Sequence, residues 1–225
     1  GAPLFVMEWI DGVVLRNKSS IDYSLSSEDF QNLSKNSIDS LVELHLLELE
    51  DSGLINLGKP EGYVERQVLG WSDRYFRAKT NELAEMEKVS EWLKANIPSK
   101  ENAGFIHNDY KYDNLVLDAV NKSEIKSVLD WEMATVGDPL MDLGTSLAYW
   151  AQADDPEILK MFNMTHLPGN MTRAEVIQYY KSRTSLDLSN ILFYYVFGLF
   201  KVAVIAQQIY KRFSLGFAKD PRFAR

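Results

Sequence analysis

Apolar positions along this chain change their period twice, from helical to extended and back to helical. Over residues 29–50, Phe30, Leu33, Ile38, Leu41, Val42, Leu44 and Leu47 recur at helical spacing. Ser26 stands three residues before Asp29 as in a capping box, and Asp51-Ser52-Gly53 closes the element. Residues 63–78 and 81–96 read as further helices, the second stopping ahead of Pro98. Short extended runs follow at 104–106, 115–117 and 125–129, the last two joined as a hairpin by the turn-rich stretch 118–124. Past Gly137-Asp138-Pro139 the helical spacing returns, with helices expected near 140–152, 156–162, 173–182 and 189–213. At the start, residues 3–10 form an apolar run ending in the turn signal Asp11-Gly12, and an exposed strand at 4–10 invites pairing with another chain. The expected fold class is α+β, mainly helical, with a small central β-hairpin insertion. Chemistry on such a scaffold gathers on the irregular backbone beside the insertion.

Composition narrows the function. The 225 residues are 46% hydrophobic and 25% charged, the balance of a globular protein rather than a disordered or collagenous one. A net charge of −8 disfavours a partner with a phosphate backbone, so no nucleic acid is expected. Without any cysteine the chain has no disulfide, thiolate metal site or cysteine nucleophile, and three scattered histidines do not make a His-rich metal site. Residues 191–209 are the most apolar stretch, but Lys201, Gly198 and the tyrosines favour a buried core helix over a membrane span. No membrane partner is expected, and no secretory signal is read, so the expected location is cytoplasmic.

The informative residues lie in the insertion. His107-Asn108-Asp109-Tyr110-Lys111-Tyr112-Asp113-Asn114 has the form H-x-D-x-x-x-x-N between two short strands, and Asp130 follows sixteen residues after Asn114. Phosphoryl transfer from a Mg-nucleotide needs a carboxylate beside the attacking hydroxyl and oxygen ligands for Mg²⁺. Asp109 suits the first task, and Asn114 and Asp130 suit the second.

With Val128-Leu129-Asp130-Trp131-Glu132 and Gly137-Asp138-Pro139-x-x-Asp142-Leu143-Gly144 following in order, the chain resembles the aminoglycoside phosphotransferase/choline kinase branch of the protein kinase-like fold. A narrower resemblance, to the phosphotransferase domains fused in some relatives to acyl-CoA dehydrogenases, runs through 5–12, Gly62-Tyr63-Val64-Glu65-Arg66-Gln67 and Trp71-Ser72-x-x-Tyr75. The resemblance implies the C-terminal lobe of that fold, with ATP and Mg²⁺ as cofactors and a nucleotide and a small hydroxylated molecule as partners. It divides the chain into a hinge strand and linker at 1–12 and a helical lobe at 13–225, with a catalytic loop at 105–117 and a metal-binding segment at 125–144. In that picture Asp109 is the catalytic base, His107 braces its loop and Lys111 touches the transferred phosphate. Asn114 and Asp130 hold the metal, and Asp142 gives structural support. Met7, Glu8 and Ile10 belong to the adenine-binding hinge, with Val116 and Leu129 at the adenine floor. Asn108 replaces the glycine usual in this branch.

The family's smaller lobe, with its glycine-rich loop and paired lysine, has no counterpart within these residues; none of the twelve glycines forms a G-x-G. Turnover by this chain alone is therefore expected to be weak or absent, and the missing lobe or another chain would pair with the hinge strand. The rival reading is a non-catalytic kinase-like module docking a partner such as an acyl-CoA dehydrogenase. The acceptor stays open among aminoglycoside, choline-like amine, sugar and hydroxyacyl compound, with dehydrogenase-fused relatives favouring the last. His45 is read as a core residue or a support for the loop, and His166 as exposed. Tyr179, Tyr180, Tyr194 and Tyr195 are read as helix packing, with Tyr194 or Trp150 as alternative pocket residues. Arg66, Trp71, Arg74 and Arg77 form a candidate anion patch that surface salt bridges explain equally well.

Overall fold

The computed structural model describes residues 8–16, 25–161 and 163–220. Helix α1 (Ser27–His45) starts at the expected capping box: the Asp29 amide donates to Ser26 Oγ (3.1 Å) and the Ser26 amide to Asp29 Oδ2 (2.8 Å). It stops five residues earlier than its apolar spacing predicts. Leu46 and Leu47 are 54% and 44% exposed, so further turns would have no face to bury. Helix α2 (Tyr63–Ala78) has the expected limits, whereas α3 (Ala84–Ala95) begins three residues late, after Leu83 in extended backbone.

Four strands follow where the sequence indicates three: β1 (Gly104–Ile106), β2 (Leu115–Leu117), β3 (Ile125–Val128) and β4 (Thr135–Gly137). They form two antiparallel ribbons instead of one hairpin. β2 pairs with β3 as expected, and β1 pairs with β4 through Gly104–Gly137, Phe105–Val136 and Ile106–Thr135. Three residues are too few to show a period, and only the β-branched pair Thr135-Val136 marks β4 in the sequence. The strand expected at 4–10 is not found where the structure describes it: residues 8–11 join no ladder. One antiparallel bridge, Val13 with Leu117, ties this segment to β2. Residues 4–7 lie outside the described residues.

Helices α4 (Pro139–Tyr149), α5 (Glu157–Lys160), α6 (Arg173–Arg183) and α7 (Ile191–Ser214) complete the chain. Of the expected helix at 156–162 only this single turn forms, and Phe162 lies outside the described residues. By length and composition α7 is apolar enough to cross a membrane. Here it packs on α2, α3 and α4 and buries Phe193, Tyr194, Phe197 and Phe200 in the main core.

Its tightest approach is to α4, where Gly144 meets the backbone at Tyr194 and Gly198 meets the backbone at Gly144. A methyl group at Gly198 has no room, because its nearest neighbour is backbone and cannot rotate away. Gly198→Ala is expected to lower the unfolding free energy by about 2 kcal/mol. A urea midpoint shifted down without a change in slope is the confirming result; an unmoved midpoint would show that α7 can slide off α4.

Candidate active site

Ribbon β1–β4 sets the geometry. Its register puts Gly137 beside Gly104, so α4 starts next to the segment that enters β1, where the Asn102 amide donates to Asp138 Oδ2 (3.0 Å). Asp138 caps α4, accepting from the Leu140 amide (2.8 Å), and Pro139 takes the first helical position, where no amide is needed. Three residues spaced i, i+4 and i+7 on α4 then face the 107–114 loop. Asp142 accepts from the amides of His107 (2.7 Å) and Asn108 (2.8 Å). Ser146 Oγ donates to the Tyr110 carbonyl (3.0 Å). The Tyr149 ring lies 4.9 Å from Lys111 Nζ, and its hydroxyl is hydrogen-bonded to Asp109. Burial first, and then Asp109 and Asp113, push the Tyr149 hydroxyl up from its ordinary pKa.

Asp142 is fully buried and also lies 3.2 Å from His45 Nε2. Burial works to raise its pKa, but the His45 contact and the loop amides outweigh it and hold the carboxyl below its ordinary value. His45 is thus a support for the loop at one remove, with Tyr180 on its other nitrogen at 2.7 Å. His107 is likewise enclosed, donating from Nε2 to the Leu129 carbonyl (2.8 Å) and accepting at Nδ1 from the Asp109 amide (3.2 Å). One donating and one accepting nitrogen make it the neutral tautomer, a brace between the loop and the end of β3. The Trp131 ring covers it at 4.9 Å.

Asp109, Lys111 and Asn114 converge. Asp109 Oδ2 accepts from Lys111 Nζ (2.7 Å) and Asn114 Nδ2 (3.2 Å), and Asn114 Nδ2 also donates to the Asp109 carbonyl (2.9 Å). Pairing of Leu115 with Val128 brings the next segment alongside, where the Leu129 amide donates to the Asn114 carbonyl (2.7 Å). Asp130 follows in left-handed backbone (φ 67°), exposed, and among the described residues its carboxylate has no hydrogen-bond partner. Asn114 Oδ1 is equally unengaged among the described residues. An amide oxygen on Asn114 and a carboxylate on Asp130, carried by adjoining segments, are donor types that Mg²⁺ takes, with water or phosphate completing the shell. Among the described residues no three His, Asp or Glu side chains gather as a metal site.

Asp113 was not anticipated. Its Oδ1 is buried without a hydrogen-bond partner, 3.9 Å from Lys111 Nζ, and burial raises its pKa while Lys111 pulls it down. Ser146 and Tyr149 were also missed, although their spacing from Asp142 was visible in the sequence. Of the adenine-site candidates, Val116 is buried in β2 against Gly12, and Leu129 is half-buried. Glu8 is exposed, Ile10 is half-buried and Met7 lies outside the described residues.

Several other readings are resolved. Of the two readings of Tyr194 and Trp150, the structure favours packing: both are core residues, with their polar tips on Asp138 (3.3 Å) and the Met171 carbonyl (2.7 Å). The anion patch is largely spent internally. Arg66 binds the carbonyls of Lys59 and Glu61, Arg77 pairs with Asp73 (2.6 Å), and Arg74 lies 4.6 Å over the Trp71 ring. His166 is half-buried rather than exposed, with Nδ1 3.1 Å from the Asn163 carbonyl. An open groove of about 660 Å³ between Gly62 and Pro98 contains no residue of the 107–114 loop.

A family model described as "Phosphotransferase enzyme family" matches residues 1–176. The chain is 32% identical to mouse acyl-CoA dehydrogenase family member 10 over 98% of its own length and 21% of that protein's. Human family member 11 is 29% identical over 96% of this chain and 28% of its own. The chain thus spans about a quarter of the curated relatives it matches. A solved Ralstonia eutropha protein provisionally assigned as an aminoglycoside phosphotransferase superimposes with a TM-score of 0.84 at 27% identity, covering 97% of this chain and 66% of that one.

Proposed function

The chain belongs to the phosphotransferase enzyme family, and from that premise we propose that it is the larger lobe of an ATP- and Mg²⁺-dependent phosphotransferase acting on the hydroxyl of a small molecule. The supporting observation is the convergence of Asp109, Lys111 and Asn114 in one loop, tied through the Leu129 backbone to Asp130. Asp109 orients the acceptor hydroxyl and takes its proton as oxygen attacks the terminal phosphorus. The bond from phosphorus to the nucleoside diphosphate breaks, and a phosphate monoester forms. Lys111, freed from Asp109 when phosphate arrives, offsets charge on the transferred group. Asn114 and Asp130 are the residues that would hold Mg²⁺, which when bound neutralises the nucleotide phosphates. Glu8, Ile10, Val116 and Leu129 border the adenine. Because no glycine-rich phosphate loop lies within the 225 residues, they turn over weakly or not at all by themselves.

The acceptor class favoured is a hydroxyacyl compound, given the dehydrogenase relatives. The test is an ATP-consumption screen of the full-length gene product against hydroxyacyl, sugar, choline-like and aminoglycoside acceptors. Acceptor-dependent ADP release with a new monoester signal in ³¹P NMR supports the reading. Nucleotide binding with no acceptor-dependent release from any class rejects it.

A further inference from the structure

Lys201 lies at the middle of the apolar helix α7 and is 3% exposed, yet among the described residues it forms no ion pair. A lysine so enclosed normally requires a charged partner. Its ammonium instead donates to the carbonyl of Asn108 at 2.7 Å and sits 5.6 Å over the Trp71 ring. Close contact between α7 and α4 at Gly144 and Gly198, one turn away, brings the ammonium to that point.

Asn108 has φ 67°, a conformation that a side chain disfavours and that surrounding contacts must maintain. Its own side chain is held by the Tyr63 hydroxyl (3.1 Å) and the Met133 carbonyl (3.0 Å). The decisive unit is the next peptide plane. Its oxygen, on Asn108, accepts from Lys201, and its N–H, on Asp109, donates to His107 Nδ1. A rigid plane pinned at both ends cannot flip, and its orientation sets the direction in which the Asp109 side chain leaves the backbone.

We propose that Lys201 is a positioning residue for Asp109, acting through the 108–109 peptide. As a claim about turnover this rests on the phosphotransferase reading; as a claim about the loop it does not. Burial pulls the Lys201 pKa down to about 8, with Lys111 on the loop and Arg74 on α2 pulling the same way. Asp142 on α4 and Asp109 on the loop hold it up. α3 meets α7 two turns away, where Trp92 packs on Phe193. The charged hydrogen bond is therefore present at neutral pH and weakens as pH rises through about 8.

The test is hydrogen exchange in the full-length protein. In Lys201→Met, the amides of residues 107–109 exchange at least about tenfold faster while α4 and α7 keep their protection, and Lys201→Arg restores the loop. Unchanged loop protection overturns the proposal, as does loss of protection spread evenly through α4 and α7. Should Lys201→Met fail to fold, the wild type decides. Protection factors of the same amides fall between about pH 7 and about pH 9.5 if the ammonium pins the loop, and pH-independent protection overturns it. With an acceptor in hand, Lys201→Met lowers kcat about tenfold at unchanged nucleotide KM, and an unaltered kcat counts against the proposal. If the wild type transfers no phosphate, the phosphotransferase reading fails while exchange still decides the role of Lys201.

Discussion

Asp109→Asn in the full-length protein lowers kcat for acceptor-dependent ATP consumption by about a thousandfold and leaves nucleotide affinity within about threefold. The separation follows from what the side chain touches. Asp109 Oδ2 meets Lys111 and Asn114, and no hydrogen bond of the Asp109 side chain goes to a residue bordering the proposed adenine site. Asparagine keeps the shape and an oxygen for Lys111 but cannot take up a proton. The charge that orients the hydroxyl is lost with it. Steady-state kinetics and a direct nucleotide-binding titration of the same preparation separate the two quantities. Turnover within tenfold of wild type would assign proton acceptance to another group, and Asp113, a carboxylate beside the same lysine, is the first to examine. A parallel collapse of nucleotide affinity would instead move Asp109 into the nucleotide site.

Why the octet was legible and its surroundings were not is a matter of range. Asp109, Lys111 and Asn114 meet within one loop of eight residues, so their spacing alone carries their geometry. Helix α2 was equally plain because its buried residues Val64, Val68, Trp71 and Tyr75 keep strict helical spacing. Strand β4 owes its existence to its pairing with β1 across about thirty residues, and nothing local announces a three-residue strand. Without β4 the first turn of α4 has no fixed place, and so the contacts of Ser146 and Tyr149 could not be foreseen. Lys201 illustrates the same limit. In sequence it is a charge that argues against a membrane span; in the fold it reaches a carbonyl ninety-three residues away. The arginines were ambiguous for the opposite reason: the sequence allowed an anion patch or local pairing, and in the fold nearby carbonyls engage Arg66 and Asp73 engages Arg77.

Removal of the Asp142 carboxylate is expected to be the most damaging single change to stability. Asp142→Ala leaves the buried amides of His107 and Asn108 without acceptors and deprives His45 of its contact. Each stranded amide costs about 1–3 kcal/mol, and loss of a buried charged partner falls in the range of about 3–5 kcal/mol. A destabilisation of about 4 kcal/mol is expected from urea unfolding monitored by far-ultraviolet circular dichroism. Asp142→Asn should cost less, since one carbonyl oxygen survives to accept one of the two amides. The pH dependence has a defined sign. The folded carboxyl titrates below the ordinary value of 3.8, so the unfolded chain binds the proton more readily. Its stabilisation is complete above that value and is lost as pH falls through the lower, folded one. Wild type should therefore lose stability more steeply than Asp142→Asn below about pH 4. Parallel acid limbs in the two proteins would show that the loop amides do not depend on the charge of Asp142, and the i, i+4, i+7 face of α4 would then hold the loop through Ser146 and Tyr149 instead.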